Sequence, residues 1–71
     1  MDRIPVHSSS IVSVGYDEAT RSLEVEFVTG GVYRYFDVPD DLYYALMRAE
    51  SKGAFVNANI VSAGFEYMRV A

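Results

Sequence analysis

The segment Leu23-Glu24-Val25-Glu26-Phe27 alternates strictly between apolar and acidic residues. Successive side chains of a β-strand point to opposite faces, so this spacing predicts a strand with one face in a core and the other in water. Such a strand needs neighbours on both sides. Ile11-Val12-Ser13-Val14-Gly15-Tyr16 precedes it and Val32-Tyr33-Arg34-Tyr35-Phe36 follows it, both rich in the β-branched and aromatic residues that suit strands. The polar run Asp17-Glu18-Ala19-Thr20-Arg21 separates the first pair. Thr29-Gly30-Gly31, whose glycines accept positive φ, separates the second. The three strands read as an antiparallel meander.

Residues opposite each other across an antiparallel pair share a face, and this restricts the register. A four-residue loop from Glu18 to Arg21 sets Tyr16 opposite Leu23, Val14 opposite Val25 and Val12 opposite Phe27, so every inner pair is apolar. In the second hairpin a two-residue loop would turn Arg34 into the core, where an unpaired guanidinium costs several kcal/mol. The three-residue loop Thr29-Gly30-Gly31 instead pairs Phe27 with Tyr33, Val25 with Tyr35 and Glu26 with Arg34. This register is the expectation, with Glu24 and Glu26 as solvated surface residues.

Beyond the strands, Asp37-Val38-Pro39-Asp40-Asp41 has a proline and acids where a helix begins. A helix from Pro39 to Ala49 would lay Leu42, Leu46 and Ala49, with Tyr43 beside them, on the inner face of the sheet. Ser51 reads as the N-cap of a second helical stretch, Lys52 to Asn59, burying Phe55 and Ala58. Ser62-Ala63-Gly64 ends it, and the alternating tail Phe65-Glu66-Tyr67-Met68-Arg69-Val70 suits a last strand. The expected fold class is α+β, a three-stranded antiparallel meander with one or two helices packed on one face and a C-terminal fourth strand. Residues 1–71 make a single domain, since 71 residues leave room for one core.

Composition narrows the function classes. The chain has no cysteine, which excludes disulfides and thiolate-bound metals. Ten acids against six lysines and arginines give a net charge of −4, which argues against a broad cationic surface for nucleic acid. No run approaches the roughly 20 apolar residues that span a bilayer. The start, Met1-Asp2-Arg3-Ile4-Pro5, is unlike a signal peptide. The expectation is a cytoplasmic protein with no membrane partner.

Few residues carry chemistry. His7 stands beside Ser8-Ser9-Ser10, yet adjacent residues seldom align a hydroxyl with an imidazole, and an exposed histidine is the simpler reading. Asp37, Asp40 and Asp41 lack the alternate-residue spacing of a calcium loop and fit helix capping instead. No catalytic residue, metal ligand or cofactor is assigned. Ser51-Lys52-Gly53 combines a hydroxyl, an ammonium and a flexible backbone at a helix start, the parts of a small phosphate site. Tyr33-Arg34-Tyr35 is open to two readings. Parity points both tyrosines inward to pack in the core, while their hydroxyls can reach a rim and serve a stacked ligand.

The order of Ser8-Ser9-Ser10-Ile11, Gly15-Tyr16-Asp17, Leu23-Glu24-Val25-Glu26-Phe27, Gly31-Val32-Tyr33-Arg34-Tyr35, Val38-Pro39 and Ser51-Lys52-Gly53-Ala54-Phe55-Val56-Asn57 resembles the KTSC domain over residues 6 to 67. Such domains occur alone in short bacterial and phage-like proteins and at the C-terminus of some lysyl-tRNA synthetases, an association that implies RNA binding. This chain departs in two ways: Val56 replaces a frequent aromatic before Asn57, and cations are few. The expected function is a non-catalytic module binding RNA or a nucleotide phosphate through Ser51, Lys52, Gly53, Arg34 and Asn57, with Tyr33 and Tyr35 as the aromatic motif. The alternative is a protein-interaction or self-associating domain that uses Val28, Val32 and Phe36 on the outer face of the sheet.

Overall fold

In a computed structural model describing residues 1–71, the alternating segment forms β3 (Ser22–Phe27), the centre of a five-stranded antiparallel sheet. The strands follow chain order: β1 (Ile4–Pro5), β2 (Ile11–Asp17), β3, β4 (Val32–Tyr35) and β5 (Tyr67–Arg69). The expected meander is its middle, the C-terminal strand is present as β5, and β1 adds an N-terminal edge that the sequence pattern did not suggest. Two residues, one of them proline, carry no alternation to read.

Between β2 and β3, Tyr16 lies opposite Leu23 and Val14 opposite Val25, as parity predicts. The pairing of Val12 with Phe27 does not form. A β-bulge between Ile11 and Ser13 brings Ile11 opposite Phe27 and turns Val12 to solvent. The second hairpin also differs. Glu24 pairs with Arg34, Val25 with Tyr33 and Leu23 with Tyr35, two residues away from the expected register. The loop is therefore Phe27–Gly31, closed by bonds from Phe27 N–H to Gly31 C=O and from Gly30 N–H to Phe27 C=O. A shift of two preserves every side chain's face, so the inner and outer sets survive the change.

Helix α1 (Asp40–Arg48) starts with Pro39 as its N-cap and buries Leu46. Helix α2 (Lys52–Val56) runs on as a π-helical turn, Asn57–Val61, marked by the Ser62 N–H to Asn57 C=O bond. Its buried residues are Gly53, Val56 and Ile60, whereas Phe55 is half-buried and Ala58 exposed. The inward stripe is thus the 53, 56, 60 row rather than the 55, 58 row. Ile11, Val14, Leu23, Val25, Tyr35, Val38, Leu46, Val56 and Ile60 form the core between sheet and helices. Tyr16 closes one end, stacked on Tyr43 at 4.7 Å and donating its hydroxyl to the Val38 carbonyl at 2.5 Å. No helix is long and apolar enough to cross a membrane.

The outer face is not the wet surface that alternation suggested. Glu24 is only 3% exposed. The N-terminal segment crosses this face so closely that a Cβ on Gly15 would stand 2.7 Å from the Asp2 carbonyl oxygen. It delivers Arg3, whose guanidinium bonds Glu24 Oε1 at 2.9 Å and Ser13 Oγ at 3.2 Å. Arg34 holds Glu24 Oε2 through two nitrogens at 2.9 and 2.6 Å, and Ser13 donates to Glu26 at 2.8 Å. The expected apolar stripe is broken up as well. Val28 is exposed and Phe36 half-buried, but Val32 is buried where residues 70–71 fold back to bond its N–H and C=O.

Candidate ligand cleft

Tyr33 and Tyr35 alternate with Arg34 on β4, so both project to the helix side while Arg34 projects to the outer face. The helical layer covers them unequally. Tyr35 lies under it and is 5% exposed, whereas Tyr33, toward the hairpin end of β4, is half-open. Across the β4–β5 ladder Tyr35 meets Tyr67 and Tyr33 meets Arg69. Aromatic rings therefore continue from the core to the surface: Phe27 is edge-on to Tyr33 at 5.8 Å, and Tyr67 lies 6.1 Å from Tyr33 and 5.7 Å from Tyr35.

Phe27, Tyr33, Tyr35, Tyr67 and Val61, the last from the π-helical turn, enclose a recess of about 330 Å³ with no charged side chain in its wall. Tyr67, 63% exposed, forms its lip. The guanidinium of Arg69 stands 5.9 Å from the Tyr33 ring centre, within cation–π range, with its Nε bonded to the Ala71 carbonyl. Burial pushes the Tyr35 phenol above its ordinary pKa, and neighbouring Tyr67 and Tyr33 add to this, so its hydroxyl stays a donor at neutral pH. The arrangement can hold a flat apolar group against π faces with one cation at the rim.

The residues expected to bind phosphate are not assembled in one place. Ser51, Lys52 and Gly53 do form a corner, packed on the serine loop before β2. A Cβ on Gly53 would lie 2.0 Å from Ser10 Oγ, so the glycine permits this contact between two distant parts of the chain. The corner's polar atoms already have partners. Ser51 Oγ accepts the Ala54 N–H, Lys52 Nζ donates to the Ala49 carbonyl at 3.1 Å, and Ser8 Oγ accepts the N–H groups of Ser10 and Ile11. Asn57 is exposed further along the helix. Arg34 is on the other side of the sheet, paired with Glu24. Burial pushes the Glu24 carboxyl up, but hydrogen bonds and charge from Arg34 and Arg3 outweigh it and hold the group below the usual carboxylate range.

Phe27, Val61, Tyr67 and Arg69 are cleft residues that sequence reasoning did not pick out. Tyr67 and Arg69 had a signal, since they occupy one parity of the alternating tail. Val61 had none, because its position depends on the π-helical turn.

Comparison with known proteins places this geometry in a family. The chain is 40% identical over 70 residues to an uncharacterized protein of Stutzerimonas stutzeri, with 99% of each chain covered. It is 41% identical over 49 residues to a lysine–tRNA ligase of Nostoc punctiforme, covering 69% of this chain and 9% of that enzyme. The crystal structure of a KTSC domain protein from Yersinia pestis superposes with a TM-score of 0.91 at 37% identity, covering 99% of this chain and 97% of that one. The KTSC domain profile itself matches residues 7–65, which takes in the serine loop, the Tyr-Arg-Tyr strand and the Ser-Lys-Gly corner. With the profile spanning most of its length and a relative matched from end to end, the chain belongs to the KTSC domain family.

Proposed function

We propose that this domain is a non-catalytic binding module for an unpaired nucleobase carrying phosphate, as in single-stranded RNA or a nucleotide. The base enters the cleft of Phe27, Tyr33 and Tyr67, and Arg69 meets the phosphate. The observation that carries this reading is the juxtaposition of an aromatic recess with a guanidinium at its rim. Base–aromatic stacking contributes about 1–3 kcal/mol per base and tolerates any base. The segment matched within a lysine–tRNA ligase supports an RNA-related setting. A non-catalytic role fits the lack of an aligned nucleophile and base: His7 is exposed, and the Ser8 hydroxyl is engaged by backbone N–H groups.

With a single cation in place the affinity is weak and its salt dependence shallow, a log–log slope of about −0.7 for one phosphate on a single strand. The test is an NMR titration with short single-stranded RNA and with nucleotides, followed at the amides of Tyr33, Val61, Tyr67 and Arg69. Saturable shifts there are expected, with Tyr67→Ala weakening binding about tenfold, the equivalent of about 1.4 kcal/mol of stacking. Absence of shifts at millimolar ligand ends the proposal. Shifts confined to Ser51, Lys52 and Gly53 return the site to the serine corner.

A further inference from the structure

The two edges of the sheet differ in what they offer a second strand. β1 is two residues long and its Pro5 has no N–H, the usual protection of an edge. β5 is also short, three residues, but contains no proline, so each of its residues keeps its N–H. Its inward backbone groups are accounted for by β4: the Glu66 carbonyl accepts the Phe36 N–H, Met68 sits opposite Arg34, and the Val70 N–H donates to the Val32 carbonyl. In an antiparallel ladder the residues between these turn their N–H and C=O groups the other way. Tyr67 and Arg69 therefore present an open set of donors and acceptors, symmetric about Met68. All three residues of the strand are exposed.

We infer that β5 pairs antiparallel with β5 of a second copy of this chain, about a twofold axis through Met68. The register follows from the free groups. Tyr67 faces the partner's Arg69 and exchanges both backbone bonds with it, and the reciprocal pair repeats them, for four in all. The side chains agree with this register. Tyr67 and Arg69 share the helix-side face, so each guanidinium lies beside the partner's phenol ring, extending the Tyr33–Arg69 pair that already spans β4 and β5. On the other face Met68, 49% exposed, meets the partner's Met68 across the axis. The two arginines are not opposite each other. An edge arginine normally deters pairing, and here it does so for every partner strand except one that sets an aromatic or acidic residue opposite it.

Pairing joins the sheets into one of ten strands and sets the two aromatic clefts side by side on the same face. It rests on the edge alone and stands or falls independently of what the clefts bind. Sedimentation equilibrium without ligand, at concentrations rising to about 1 mM, tests it, since a three-residue edge supports only weak association. The average mass is expected to rise toward twice the monomer's. Arg69→Pro removes an outward N–H that β4 does not use, and keeps the chain monomeric. Tyr67→Lys sets an ammonium opposite the partner's Arg69 and does the same, while Tyr67→Lys with Arg69→Glu makes the pair attractive and restores association. Retained amide shifts in β2 and β3 confirm that each variant is folded. A wild type that stays monomeric at about 1 mM overturns the inference, as does association that survives Arg69→Pro or is not restored by the charge swap.

Discussion

The inner and outer faces of the sheet are built by alternate residues of the same strands and reach the same degree of burial by opposite chemistry. Inside, Val14, Leu23 and Val25 are fully buried in the apolar core beneath the helices. Outside, Ser13, Ser22 and Glu24 are nearly as inaccessible, at 6, 5 and 3% exposure. The cover there is a short N-terminal segment and two arginine side chains laid over a carboxylate. Alternation thus identifies which residues share a face, but not which face meets water. The acidic phase of β3 is buried at Glu24 and half-buried at Glu26, with partners from other parts of the chain.

If the inner face supplies most of the stability, a cavity there is the most damaging change. Leu46 has no exposed surface and is the buried residue of α1. Leu46→Ala is expected to cost about 2–5 kcal/mol, the transfer term plus an incompletely collapsed cavity. A domain of this size has a total of only about 4–10 kcal/mol at typical stability per residue. Urea unfolding should show a midpoint lowered by about a fifth or more with little change in slope. A loss below about 1 kcal/mol would mean that the helix layer matters less than its burial implies.

The outer face should respond to a change of charge at constant shape. Glu24→Gln leaves two guanidiniums facing a neutral amide and is expected to cost about 1–3 kcal/mol at pH 7. The expected pH dependence follows from the lowered carboxyl pKa. Because the folded-state value is depressed, the contribution is present above the unfolded value of about 4.3 and is lost as pH falls through the lower folded value. Wild-type stability should therefore decline below about pH 4.5 more steeply than that of Glu24→Gln. An equal loss of unfolding free energy in wild type and Glu24→Gln between pH 7 and about pH 3.5, measured by urea titration, would show that Glu24 is not held by its arginines. Replacing the trio together, Arg3→Met, Glu24→Leu and Arg34→Met, is expected to be close to neutral, since apolar groups of similar volume remove the desolvation penalty along with the attraction.

The same contrast explains which parts of the fold were legible. The meander, the turn of its first hairpin, the first helix and the Ser51 start of the second followed from parity, capping residues and apolar spacing, all local properties of consecutive residues, whereas the buried row of the second helix did not. The second hairpin was read two residues out of register, because pairing Arg34 with either Glu26 or Glu24 satisfies the same parity rule. Nothing local told the two apart. The burial of Glu24 was not legible because one of its partners, Arg3, is 21 residues away and arrives only when the N-terminal segment crosses Gly15. Likewise the serine corner was visible as a motif, but its engagement with Ser10 required the tertiary contact at Gly53. The cleft was half legible: Tyr33 and Tyr35 were singled out, while Val61 depended on a π-helical turn that spacing rules for α-helices do not anticipate.

The smallest expected effect tests whether the N-terminal segment is truly the outer cover. Gly15→Ala places a methyl 2.7 Å from the Asp2 carbonyl oxygen and 3.1 Å from Arg3 Cγ, so the segment must lift. Lifting it gives up the Arg3–Glu24 pair and the two-residue β1 ladder. Alanine also restricts the unfolded chain more than glycine does, which offsets part of the loss by about 0.4–1 kcal/mol. The net change should be a destabilisation of about 1 kcal/mol or less, and is best read locally. Amide exchange is expected to accelerate at Ile4 and Val14 while Val25, deep in the inner face, keeps its protection. If the segment instead lifts and the variant loses no stability, the outer face is held by Arg34 alone. The comparison between the faces would then reduce to one ion pair against a whole helical layer.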